Sequence, residues 1–207
     1  MTNYSGTFIV FEGLDGSGQT TQAELLKEFL EKRKKEVLLT KEPTEGSEKT
    51  KVAPEIQKIL NGEIEATDKN LQGLFIEDRK LHLEGQIKPA LKEGKVVISD
   101  RYKYSTIAYG AANGVSKEWL EKKQEDFLEP DLTILLNVSP EVCIDRIKGR
   151  GENITIFEKK KRLDDIWEVY KELSDEYNME VVDGNSDASI KKVARRVQSV
   201  VMKELRI

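Results

Sequence analysis

Five short apolar runs punctuate the chain, at residues 8–11, 37–39, 96–99, 132–136 and 180–182, with stretches of helical periodicity between them. Runs this short and this continuously apolar suit strands covered on both faces. Helices between them make the strands parallel, joined by right-handed crossovers. Residues 22–35 carry Ala23, Leu26 and Leu30 at helical spacing. Asp68 stands where an N-cap would open a long helix through Lys92, with Leu71, Leu74, Phe75, Leu81 and Ile87 as its apolar face and Gly94 to end it. Ser139-Pro140-Glu141 reads as N-cap, first-turn proline and first-turn acid. A last helix starts at Ser186 or Asp187 and carries Ile190, Val193, Val197 and Val201 on one stripe. The pattern predicts an α/β fold, a five-stranded parallel sheet flanked by helices.

Two polar segments break this rhythm: residues 44–51, after the second strand, and residues 149–155, whose R-G-E-N sequence after a helix suits a mobile flap. Open parallel sheets bind ligands at the carboxyl ends of their strands, where residues 44–51 and the turn after the first strand should meet.

The 207 residues suit one domain over 1–207. With 34 Lys+Arg against 38 Asp+Glu, the net charge of −4 argues against a general nucleic-acid binder. Cys143 is the only cysteine, so no internal disulfide is possible, and its place in an apolar stripe assigns it to packing. The N-terminus lacks the basic and apolar regions of a secretory signal, and no apolar stretch approaches the roughly 18–20 residues of a membrane span. A soluble, cytoplasmic protein without membrane association is expected.

The chemistry begins at residues 8–22, F-I-V-F-E-G-L-D-G-S-G-Q-T-T-Q. A strand, a glycine-rich turn and a helix start make a phosphate loop from Gly13, Leu14, Asp15, Gly16, Ser17, Gly18, Gln19, Thr20 and Thr21. Thr20 supplies the hydroxyl expected on Mg²⁺. Gln19 stands where a lysine normally neutralises the β- and γ-phosphates. Asp100, ending the third strand, can reach the same Mg²⁺, and Arg101 adds a planar cation for phosphate. Phe75 and Arg79, four apart on a helix, can stack on and hydrogen-bond a base, although spacing alone favours a core Phe and a solvated Arg. His82 reads as structural, and residues 158–162 as a solvated helix face. Arg146 and Arg150 precede the flap and are candidates to close over transferring phosphates.

F-E-G-L-D-G-S-G-x-T-T-Q, then K-E-P-T, L-F-x-x-D-R-x-x-H-L and V-I-S-D-R-Y-x-x-S-x-x-A-Y together resemble the thymidylate kinase family over about residues 7–175. The resemblance implies a three-layer P-loop kinase fold with a short lid near residues 149–157, a homodimer, and phosphoryl transfer from ATP–Mg²⁺ to dTMP. It further implies that Asp15 holds the acceptor's 3′-hydroxyl, Phe75 stacks on thymine and Arg79 reads its edge. Arg101 and Tyr102 belong to the acceptor-binding segment, Arg101 gripping phosphate. Ser105 lies near the base, and Tyr109 crowds the place of a ribose 2′-hydroxyl. Glu42-Pro43 forms the acceptor-side loop. Asp15, Gln19, Arg101, Arg146 and Arg150 are then the catalytic set.

Four positions and one segment depart from the family pattern: Gln19 for Lys, Lys41 for Arg, Gly110 for Gln, Trp167 for Arg, and residues 151–157 without the lid's Asp-Arg pair. Two further readings follow, a nucleotide-binding protein with impaired catalysis, or a kinase for another deoxynucleoside monophosphate.

Overall fold

The computed structural model describes residues 4–45, 50–149, 156–185 and 189–205. All five predicted strands form: β1 (Thr7–Glu12), β2 (Val37–Lys41), β3 (Val96–Asp100), β4 (Leu132–Asn137) and β5 (Glu180–Asp183). They make one sheet in the order β2-β3-β1-β4-β5, every pair parallel. Along the described chain the α-helices are α1 (Gln19–Glu31), α2 (Ala53–Leu60), α3 (Asp68–His82), α4 (Lys88–Lys92), α5 (Lys103–Ala112), α6 (Lys117–Lys122), α7 (Pro140–Lys148), α8 (Ile156–Glu176) and α9 (Ile190–Leu205).

Alternate residues of each strand serve different layers. Ile9, Phe11, Ile98 and Ile134 pack with Leu26 and Leu30 of α1 and Val193, Val197 and Val201 of α9. Phe8, Val10 and Val97 pack on the other face with Leu83, Ile87 and Leu91, while Leu135 joins Ile166, Tyr170 and Cys143. Both faces are covered, which is why the strands read as unbroken apolar runs. Cys143 is packing, as expected, and burial pushes its thiol up to about 12. No described helix is long and apolar enough to cross a membrane.

Strand register sets up the site. Phe11, Asp100 and Lys41 lie in one row. Glu12, the last residue of β1, and Arg101 and Glu42, the first residues beyond β3 and β2, therefore stand side by side at the carboxyl edge of the sheet.

The helices correct several expectations. The first begins at Gln19 and stops at Glu31, not over residues 22–35. Lys34 adopts φ 61°, and the bonds from Lys35 N to Leu30 O and Lys34 N to Glu31 O close a Schellman turn. Thr67, not Asp68, caps α3 by accepting from Asn70 N at 3.2 Å. That helix does continue to Lys92, but through a π turn at Leu83–Ile87, where Lys88 N reaches back to Leu83 O. Pro89 has no N–H for the Gly85 carbonyl, so the regular ladder breaks there.

The predicted apolar face of α3 is also misplaced. Leu71, Leu74, Phe75 and Leu81 are half-buried, whereas Gln72, Asp78, Arg79 and His82 are buried. At the last helix, Ser189 accepts from Lys192 N at 3.3 Å, and Ile190 is 61% exposed rather than part of the buried stripe. Ser186 and Asp187 lie outside the described residues, as do Arg150 and the flap from residue 150 to residue 155.

Candidate functional site

Gly18, at φ 97°, is the N-cap of α1, and no side chain caps that end. A left-handed residue here lets the chain turn from loop to helix while the first N–H groups of α1 point outward. Gly16, at φ 85°, passes so close to α7 that a Cβ would sit 2.7 Å from the Cys143 carbonyl. The loop also contains two buried polar atoms without partners, Ser17 Oγ and Gln19 Nε2. Open helix N–H groups beside orphaned donors make an anion site. The cleft in front of them is about 550 Å³ and is lined by Gly16, Gly18, Gln19, Thr20, Thr21, Asp100 and Arg101.

Thr20 Oγ1 donates to Asp100 Oδ2 at 2.5 Å, so the two expected metal ligands converge in that cleft. Among the described residues no group of three or more His, Cys, Asp or Glu side chains forms a closed metal site. A hydroxyl and a carboxylate suit a hard cation that takes its remaining ligands from phosphate and water.

Arg101 bridges the loop and its neighbour cavity. It holds φ 72°, an uncommon backbone state for a non-glycine residue, fixed by its N–H to the Phe11 carbonyl at 2.9 Å. Its Nη1 donates to the Gly13 carbonyl (3.1 Å) and Ser105 Oγ (3.0 Å). Its Nη2 donates to Asp15 Oδ1 (2.8 Å) and Gln19 Oε1 (3.1 Å). The uncharged Gln19 thus offers its oxygen to the guanidinium and leaves its amide nitrogen toward the loop. Tyr109 OH lies 3.4 Å from Arg101 Nη2 and accepts from Asp15 N at 3.0 Å.

Beneath Arg101, Glu12 is buried and accepts from Tyr102 N (3.1 Å), Ser105 N (3.1 Å), Ser105 Oγ (2.5 Å) and Tyr170 OH (2.9 Å). Burial outweighs these bonds and the Arg101 charge, pushing the carboxyl up to about 7.

The neighbouring cavity, about 190 Å³, is lined by Asp15, Glu42, Pro43, Phe75, Arg79, Arg101, Ser105 and Tyr109, all expected from the sequence. The same cavity also takes in Leu60, Leu71, Gln72, Thr106, Asn113 and Arg162, which sequence reasoning missed. Thr106 and Gln72 carried one usable signal: each is a polar residue within a helical turn of a named candidate.

Arg79 inverts the expectation of a core Phe and a solvated Arg: the guanidinium is 2% exposed and Phe75 faces the cavity. Its buried partners include Glu42, whose other oxygen lies 3.1 Å from His82 Nδ1. His82 Nε2 in turn meets Thr40 Oγ1 at 2.7 Å, so His82 is structural and sets Glu42 in place. Asp78 accepts from Thr44 N (2.8 Å), Thr44 Oγ1 (2.7 Å) and Thr50 Oγ1, fastening both ends of the segment after β2.

Three expected site residues act differently. Tyr102 turns its ring into the core against Phe8 and gives its hydroxyl to the Leu128 carbonyl, so only its backbone serves the site. Leu14 packs its side chain in the core, contributing backbone to the loop. Arg146 braces the loop from behind, donating to the carbonyls of Gly16 (3.3 Å), Ser17 (3.1 Å) and Gly184 (3.0 Å). Of the departures, Trp167 is half-buried and packs against the core beneath α8, and Lys41 pairs with Glu45 at the cleft's rim.

The family model described as thymidylate kinase matches residues 11–197. A protein of Pyrococcus abyssi named "Probable thymidylate kinase" is 40% identical over 207 residues, covering 97% of this chain and 98% of the relative. A protein of the same name from Pyrococcus horikoshii is 46% identical over 162 residues, covering 74% and 75%. Another, from Methanocaldococcus jannaschii, is 40% identical over 176 residues, covering 85% and 86%.

Proposed function

The chain belongs to the thymidylate kinase family, and on that premise we propose that it transfers a phosphoryl group from ATP to dTMP, giving dTDP and ADP. The observation that carries this reading is the meeting of two cavities at Asp15 and Arg101, one beside a phosphate loop and one beside Phe75.

Donor phosphates lie in the larger cleft, where the N–H groups of α1, Ser17 Oγ and Gln19 Nε2 take phosphate oxygens. The acceptor's base enters the smaller cavity against Phe75. Its 3′-hydroxyl meets Asp15 and its phosphate meets Arg101, which would bring the acceptor's phosphate oxygen up to the donor's γ-phosphoryl group. Tyr109 closes the sugar side of the cavity. Gly13, Asp15, Gln19 and Ser105 already hold Arg101 at the cleft, and a phosphate oxygen takes up its N–H groups in place of one of these acceptors. Thr20 and Asp100 would hold Mg²⁺, which when bound neutralises charge on the β- and γ-phosphates. Catalysis is then positioning and charge stabilisation, with Arg101 the central cation and Gln19 a neutral donor where the family has a lysine. A homodimer is part of the same proposal.

ADP formation from ATP, Mg²⁺ and dTMP tests the proposal. We expect dTMP-dependent turnover, raised about 10²-fold by Gln19→Lys, within the scale of one preorganised transition-state donor. Faster turnover with dUMP, dCMP or dGMP would reassign the acceptor. Binding of both nucleotides with no turnover in either protein would leave a nucleotide-binding protein, the reading that the neutral Gln19 favours.

A further inference from the structure

The turn from β3 into α5 presents Arg101, and that turn has no cap of its own. Arg101 takes φ 72°, and Tyr102, the N-cap residue of α5, makes no side-chain capping bond. The first N–H groups of a helix need acceptors, and a negative charge is favoured at that end. Glu12, at the end of β1, supplies both. Its Oε1 accepts from Tyr102 N and from Ser105 N, each at 3.1 Å.

Glu12 Oε2 serves side chains instead. It accepts from Ser105 Oγ at 2.5 Å and from Tyr170 OH at 2.9 Å. With its hydrogen committed to Glu12, Ser105 Oγ keeps lone pairs for Arg101 Nη1 at 3.0 Å. A path of two hydrogen bonds therefore runs from a fully buried carboxyl to the guanidinium where the two cavities meet. Among the side-chain acceptors of Arg101, Asp15 is exposed and Gln19 lines the donor cleft, so each is free to give way to a phosphate oxygen. Ser105 is not, because turning it breaks its bond to Glu12.

We propose that Glu12 is a positioning residue: it caps α5 from another element and, through the Ser105 hydroxyl, holds the Arg101 guanidinium for the acceptor's phosphate. The inference rests on the reading of Arg101 as the cation that meets that phosphate. Glu12→Gln separates this role from simple burial, since the carboxamide keeps the size and one acceptor oxygen. With that oxygen toward the two backbone N–H groups, the NH₂ group meets the Ser105 and Tyr170 hydroxyls. An N–H···O bond needs about 2.9 Å, so Ser105 Oγ retreats from its 2.5 Å contact and turns its hydrogen away. The reverse orientation sets the NH₂ group against two N–H donors and is worse.

The test is a binding titration of the full chain with dTMP and with thymidine, which lacks the phosphate. It compares the unmodified protein, Glu12→Gln, Ser105→Ala and the double variant at about pH 8, where the Glu12 carboxyl, pushed up to about 7, is charged. We expect each single variant to cut the preference for dTMP over thymidine about fivefold, one hydrogen bond's worth. Thymidine binding by Glu12→Gln stays within about twofold, and the double variant loses no more preference than Ser105→Ala alone, since both changes cut one path. Undiminished preference in Glu12→Gln overturns the role, as does an equal loss for both ligands, the mark of a merely structural residue. Losses that multiply in the double variant put the two residues on separate paths and overturn the relay. An unmodified protein that binds thymidine as tightly as dTMP, or binds neither, overturns the reading of Arg101 and this inference with it. Should Glu12→Gln not fold, Glu12→Asp makes the same comparison, because its shorter side chain keeps the charge but does not span α5 N–H groups and Ser105 Oγ together.

Discussion

Behind the smaller cavity, Arg79, His82 and Asp78 are buried charged or titratable side chains, and each is met by partners from β2 or the segment after it. Across Arg101, in the phosphate loop, Ser17 Oγ and Gln19 Nε2 are buried without partners at the uncapped start of α1. In the first region those three side chains are satisfied without a ligand and build a wall, although Gln72 beside them leaves its Oε1 unpartnered. The second is finished only when an anion arrives, since no described residue supplies an acceptor for its donors. Buried polarity therefore has two meanings in one site: satisfied polarity shapes the cavity, and unsatisfied polarity marks where a ligand binds.

The sharpest way to break this comparison is Glu42→Ala. It strands the Arg79 guanidinium in the interior, and we expect a loss of about 3–5 kcal/mol, read from the denaturant midpoint. A loss under about 1 kcal/mol would mean that water or another carboxylate serves Arg79, and the wall is not built as described.

Glu12 stands between the two regions and provides the next largest effect. Its folded carboxyl, near 7, lies above the ordinary 4.5, so the folded state holds this proton more tightly than the unfolded chain. The resulting stability is complete below pH 4.5 and is lost as pH rises through about 7. That loss amounts to up to about 3 kcal/mol. Glu12→Gln, neutral throughout, should lack this part of the pH dependence when urea unfolding is compared at acid and neutral pH. Parallel profiles for the two proteins would refute it.

Ser17→Ala sharpens the comparison from the loop side. Its orphaned hydroxyl supports nothing in the unliganded fold, so stability should change by no more than about 0.5 kcal/mol. ATP affinity should fall about fivefold, one hydrogen bond's worth, by calorimetric titration. A large stability loss with unchanged ATP binding would make Ser17 a structural residue.

The strands, the loop and the edge where they meet were legible because apolar runs and glycine spacing are local signals. The polar wall was not. A reader of sequence takes Leu71, Leu74 and Leu81 for the inner face of α3, since burial and apolarity usually coincide. The true inner face is polar because Arg79 pairs with Glu42, 37 residues away, and with Gln124, 45 residues away. No local periodicity reports such partners. Tyr102 was misassigned for the same reason: its motif is local, but the core contact with Phe8 that claims its ring is not.

The π turn at Leu83–Ile87 has a geometric consequence for the whole helix. It sets the angular phase between two unequal jobs, a proximal half that shows Gln72, Phe75 and Arg79 to the cavity and a distal half that anchors Ala90 and Leu91 in the core. Each residue added or removed rotates one half against the other by about 100°. The length of this helix is therefore fixed as firmly as any of its side chains, even at exposed positions such as Gly85, where a point substitution meets no neighbour at all.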